Sequence, residues 1–188
     1  MFGSWVFSLS EFKEHAEMGS QFEWCRTSYT HVKAIIDKNG QIQKIIDEKG
    51  KIPKNKIPGY VAKELDDYLN YFSRSLKCVR DGNYVGARLK ASRSIPYLLN
   101  SIFGLEGRPT PYYKYVEWEL KEFPLKKFTM RPDELIKNIL KILEDADPKT
   151  QLKIFNAMEK VFRKEGYSKV FDAWKPDGTM KFIKSFKN

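Results

Sequence analysis

"VAKELDDYLNYFSRSLKCVRDGNYVGARLKASRSIPYLLNSIF", residues 61 to 103, decides the fold class. Val61, Leu65, Tyr68, Leu69, Phe72, Leu76 and Val79 recur at three- and four-residue spacing, which gives a helix one apolar face. Gly82-Asn83 stops that helix, and a second is predicted over about 84–103. Val85, Leu89, Ile95, Leu98, Leu99, Ile102 and Phe103 are expected inside it, with a bend at Pro96, which has no amide to donate. Two long helices joined by so short a turn pack as antiparallel neighbours.

Working toward the C-terminus, the pattern predicts helices over about 112–122, 132–145 and 149–165. "RPDE" and "DADPKT" punctuate the last two, and the short segment "SKVFDAWK", a "KPDGT" turn and a lysine-rich tail follow. Toward the N-terminus the pattern changes. "WVFSLS" (5–10) reads as a short strand, and Ser10 is placed to cap a helix through "EFKEHAEM". "THVKAIID" (30–37) alternates and is β-branched, so it reads as a strand. "DKNG" then supplies Asn-Gly turn chemistry, and "QIQKIID" returns as a strand or short helix. "EKGKIPKNKIPG" (48–59) is a connector. The expected architecture is mainly α: a small α/β segment over 1–55, then an antiparallel helical bundle over 56–188.

The 188 residues carry 41% hydrophobic side chains, enough for a core, and no apolar run approaches the roughly 20 residues that span a bilayer. "MFGSWVFSLSEFKEH" lacks basic residues before its apolar run, which argues against a signal peptide. Cys25 and Cys78 form neither a metal motif nor a disulfide framework, so a reducing, cytoplasmic setting is expected. The net charge of +10 favours acidic partners. From Pro148 to Asn188, ten Lys/Arg face four Asp/Glu, either a nucleic-acid footprint or a solvated lysine-rich surface. Few exposed aromatics alternate with those lysines, and the second reading is preferred.

Catalytic chemistry is hard to assemble. His15 and His31 lie in no catalytic spacing, and no GxxxxGK[ST] phosphate loop exists. Arg26 and His31 form an R-x4-H spacing read as chance, and Asp145-x-Asp147 suits a turn and cap better than magnesium. Neither catalytic nor metal-ligating residues are assigned. The candidate binding residues are spread over the helical part. Arg74 and Lys77 share one helix face, and Arg88 and Arg93 sit near the polar boundary of the next helix. "GRPTPYYKYVEWEL" (107–120) adds Arg108, Tyr112, Lys114 and Glu117. In it Gly107 ends a helix, Pro109 and Pro111 stiffen the crossing, and Trp118 is expected in the core on a side shared with Tyr115.

"THVKAIIDKNGQIQKII", "LNYFSRSLKCVRDGN" and "ARLKASRSIPYLLNSIFGLEGRPTPYYKYVEWELKEFPL", in that order, resemble one protein group. They are similar to the region that follows the catalytic core in nucleotidyltransferase-like proteins of the polymerase-β superfamily, which include the aminoglycoside nucleotidyltransferases. The resemblance spans about residues 25 to 175. It implies an N-terminal sheet with a Gly-Ser pair, an Asp-x-Asp and a third carboxylate holding magnesium and a nucleoside triphosphate. It also implies a helical bundle that shapes the acceptor site. The chain departs from that pattern: Gly3-Ser4 and Gly19-Ser20 are present, but the first aspartate is Asp37 and no Asp-x-Asp follows either pair at a workable distance. The resemblance therefore implies a non-catalytic accessory chain, with nucleoside triphosphate and magnesium entering only with a catalytic partner. It implies that Lys114 approaches phosphates, with Arg74, Lys77 and Arg108 as supporting cations. Tyr112 or Tyr113 would stack on a ring, and Glu117 would accept from an acceptor hydroxyl or amine. Unpaired edges of a truncated sheet would call for a homodimer or a separate catalytic chain.

Overall fold

A computed structural model describes residues 5–186, so the Gly3-Ser4 pair lies outside the described residues. The chain is mainly α, and the two helices read from residues 61–103 form its centre. α3 (Ile57–Arg80) and α4 (Tyr84–Leu105) pack along each other more extensively than any other pair. Gly82, at φ +71°, lets the chain reverse between them, and the Asn83 amide closes the end of α3 on the Cys78 carbonyl at 2.9 Å. The Asn83 side chain then caps α4 by accepting from the Gly86 amide at 2.8 Å.

α5 (Val116–Glu122), α6 (Pro132–Asp145) and α7 (Pro148–Lys164) complete the bundle, with the short helices α8 (Ser168–Asp172) and α9 (Thr179–Ser185) laid against α3. Prolines open α6 and α7 where a missing amide costs nothing, and the Asp147 carboxylate caps α7 through the Thr150 amide at 2.8 Å. One core runs through these helices. Phe72, Phe103, Phe128, Phe155, Phe162 and Phe171 are fully buried in it, and Phe72 stacks on Phe155 at 5.0 Å. Val85 and Leu89 do not join it, contrary to the sequence reading: they are 73% and 65% exposed. Ala87 and Ala91 are the buried residues of that first stretch of α4, and the Ala87 carbonyl accepts from the Ser75 hydroxyl of α3 at 3.0 Å.

The N-terminal segment corrects the sequence reading more sharply, since no strand occurs among the described residues. "WVFSLS" leads into α1 (Leu9–Glu14), whose cap is Ser8 rather than Ser10; Ser8 and Glu11 exchange a capping box. Residues 23–29 form a 3₁₀ helix. Residues 30–37 have strand composition but no neighbouring strand to bond their amides. They run as irregular chain with Ile35 99% and Ile36 76% exposed. Asn39-Gly40 does not turn a hairpin. Gly40, at φ +73°, starts α2 (Gln41–Lys49), and the Asp37 carboxylate accepts from the Gln43 amide at 2.8 Å.

Candidate functional site

The N-terminal segment leans on the bundle and leaves a cleft between them. Two buried cations hold the segment together. Arg26 donates to the carbonyls of Ala16 at 3.0 Å and Glu48 at 2.9 Å, and also to that of Lys51. Lys49 donates to the carbonyls of Lys13, at 2.7 Å, and His15. Burial, more than any neighbouring charge, lowers the pKa of both groups. Beside them His15 bonds the Tyr29 hydroxyl at 2.6 Å and packs against Phe7 and Phe22.

Several contacts then fasten this unit to the bundle. The Ile52 amide donates to the Gly107 carbonyl at 2.8 Å. Gly107 itself ends α4 at φ +71°, with the Arg108 amide returning to the Phe103 carbonyl at 3.0 Å, as its place in the sequence predicts. Ser28 and Tyr112 share a hydroxyl–hydroxyl bond of 2.7 Å, and Trp24 meets the Tyr112 ring edge-on at 5.9 Å. His31 stacks on Phe123 at 3.6 Å and bonds the buried Glu119 carboxylate at 3.0 Å.

The cleft has a volume of about 430 Å³. Trp24, Tyr60, Tyr112 and Tyr113 supply aromatic walls, and Glu23 and Glu64 supply acceptors. Glu64 is buried and is oriented by Asn100, which donates to it at 2.8 Å and in turn accepts from Thr110 at 2.7 Å. Burial, reinforced by Glu64 and Glu23, pushes the Tyr60 phenol above its ordinary pKa, so it stays a donor. Gly104 leaves room for the Tyr60 ring, since a Cβ there would lie 2.8 Å from it. Chemically, such walls are suited to stacking on a planar ring, and the carboxylates to accepting from N–H or O–H donors.

Of the binding candidates singled out in the sequence, Tyr112 and Tyr113 line this cleft, and none of the charged ones does. Arg108 lies behind it, committed to the Glu119 carboxylate and to the Phe123 carbonyl at 2.8 Å, with its plane over Phe103. Lys114 is exposed, 4.6 Å above the Tyr115 ring, and Glu117 pairs with Lys121 at 2.9 Å. Arg74 bonds Asn70, Lys77 reaches Thr179 of α9 at 3.5 Å, and Arg88 acts electrostatically on Asp145. The structure therefore scatters the charged candidates. Trp118 is half-exposed rather than core: it meets Phe123 edge-on, while Val116, Glu119 and Leu120 fill the buried face of α5. Trp24, Tyr60, Glu64 and Asn100 were missed. Glu64 carried a readable signal, a carboxylate on the apolar face between Val61 and Tyr68.

The magnesium–triphosphate chemistry implied by the resemblance finds no matching ligand set. No group of three His, Cys, Asp or Glu side chains converges among the described residues. No described helix is long and apolar enough to cross a membrane. No family model matches the chain, and neither a curated protein nor a solved structure matches it significantly.

Proposed function

We propose that this chain is a non-catalytic, nucleotidyltransferase-like helical domain that binds a small planar ligand, nucleotide or acceptor, in the cleft around Tyr112. It works in the cytoplasm beside a chain that supplies the missing carboxylates, or as a dimer. The cleft carries this reading: four rings and two carboxylates converge there, one carboxylate is buried and oriented, and the sequence stretch behind the resemblance contributes Tyr112 and Tyr113. The partner no longer rests on strand edges. It rests on residues 30–37, which keep strand composition and expose Ile35 and Ile36. The alternative of a basic nucleic-acid-binding or scaffolding protein has less support, because Trp174, Phe182 and Phe186 pack partly against the core rather than standing free as stacking platforms among the described C-terminal lysines.

Titration calorimetry with a panel of nucleosides, nucleotides with and without magnesium, and amino sugars tests the reading. At least one should bind, and Tyr112→Ala should weaken it by about tenfold, the loss of one stacked ring. Lys114→Ala should change little. A panel in which nothing binds the wild type removes the proposal.

A further inference from the structure

Beside the aromatic cleft lies a second cavity of about 420 Å³, and Met18 and Arg26 line both. Its chemistry is the opposite of its neighbour's. Lys13, Lys44, Lys49, Lys56 and Arg26 line it against Glu17 and Glu48. Arg26 and Lys49 are 6% and 5% exposed, yet their hydrogen-bond partners are neutral carbonyls rather than carboxylates. Neither charge is neutralised by an ion pair at contact among the described residues, although Glu17 and Glu23 act on Arg26, and Glu17 and Glu48 on Lys49, from a distance. The Arg26 Nε is buried without a partner. Lys13, Lys44 and Lys56 are exposed and make no ion pair among the described residues. Such a cavity favours an anion of one or two charges.

The neighbouring cleft demands the other half of a ligand. Its rings suit a planar base, and the Glu23 carboxylate spends only one oxygen, on the Gly19 amide at 2.7 Å. The remaining lone pairs suit a ring edge rich in N–H donors. A triphosphate would bring magnesium, for which no carboxylate group converges among the described residues; a monophosphate needs none.

Resting on the cleft-binding reading above, we propose that the two cavities form one bipartite site for a nucleoside monophosphate with a guanine-like ring. The ring stacks among Trp24, Tyr60 and Tyr112 with its N–H edge toward Glu23, and the phosphate sits among Lys13, Lys44 and Lys56. Arg26 stands at the junction and serves both as clamp of the segment and as charge behind the phosphate.

The test compares guanosine monophosphate with guanosine, by calorimetry at fixed ionic strength. The proteins are the wild type and a triple variant, Lys13→Gln with Lys44→Gln and Lys56→Gln. These three lysines are exposed, and circular dichroism with a melting curve checks that the variant folds. In the wild type the phosphate should tighten binding by about tenfold or more, and the triple variant should erase that gain while keeping the guanosine affinity. Equal affinity for nucleoside and nucleotide overturns the phosphate half and leaves the aromatic cleft standing. A phosphate gain that survives in the triple variant places the anion elsewhere and also overturns the proposal. If neither ligand binds, the bipartite site falls, and the cleft reading is decided separately by the panel above.

Discussion

The bundle and the N-terminal segment are held together by different physics. The bundle buries six phenylalanines in a continuous apolar core, whereas the segment before α3 buries Ala16, Ile45, Ile46 and Ile52 and two cations that gather carbonyls. Apolar burial is non-directional and tolerant of modest change, so the bundle is over-determined. A cation among carbonyls is directional, and removing it strands several acceptors at once. The difference teaches where function can sit. The cleft forms where the rigid half meets the conditionally held half, and its walls come from both.

The widest gap between the two regions should follow from matched deletions. Phe155→Ala opens a cavity beside Phe72 and Phe171 and should cost about 3–5 kcal/mol, lowering the single global transition in urea. Arg26→Met keeps an apolar stem but leaves the carbonyls of Ala16, Glu48 and Lys51 without their donor. It should cost roughly 2–3 kcal/mol, confined to the segment. Limited proteolysis should then cut within residues 5–55 while the bundle's urea midpoint barely moves. A fall in bundle stability as large as that from Phe155→Ala would erase the distinction.

The smallest effect is a pH dependence. Burial first, and then the Lys49 charge, hold the His15 imidazole below its ordinary pKa of 6.5. The unfolded chain therefore takes up the proton before the folded one does. The stability His15 lends is complete above about 6.5 and is lost as pH falls through that value toward the folded pKa. The segment's proteolytic protection should decline modestly over that interval, and His15→Gln should flatten the decline. Protection that rises on acidification would have the wrong sign.

The same contrast explains what the sequence disclosed. The bundle helices were legible because a 3.6-residue period writes a buried face directly into residue order, and Gly82, Gly107, Pro132 and Pro148 mark their ends. Val85 and Leu89 misled because they are apolar but point outward, while the buried alanines of that stretch carry little signal. Residues 30–37 misled for another reason: β-branched composition describes what a segment fits, and no strand stands beside it here. Tyr112 was legible as a ring in a proline-stiffened turn. Arg108 was legible only as a charge, and its commitment to Glu119 and the Phe123 carbonyl depends on a fold contact that no spacing reveals. Trp24 and Asn100 enter the site through pairings 88 and 36 residues away, with Tyr112 and Glu64 respectively.

Native-state amide hydrogen exchange tests the two-region account most directly. The amides of α2 should open with a distinctly lower free energy than those of α3 and α4, and Arg26→Met should lower the α2 value further while leaving α3 and α4 unchanged. Exchange of α2, α3 and α4 with one common free energy, shifted together by Arg26→Met, would contradict it.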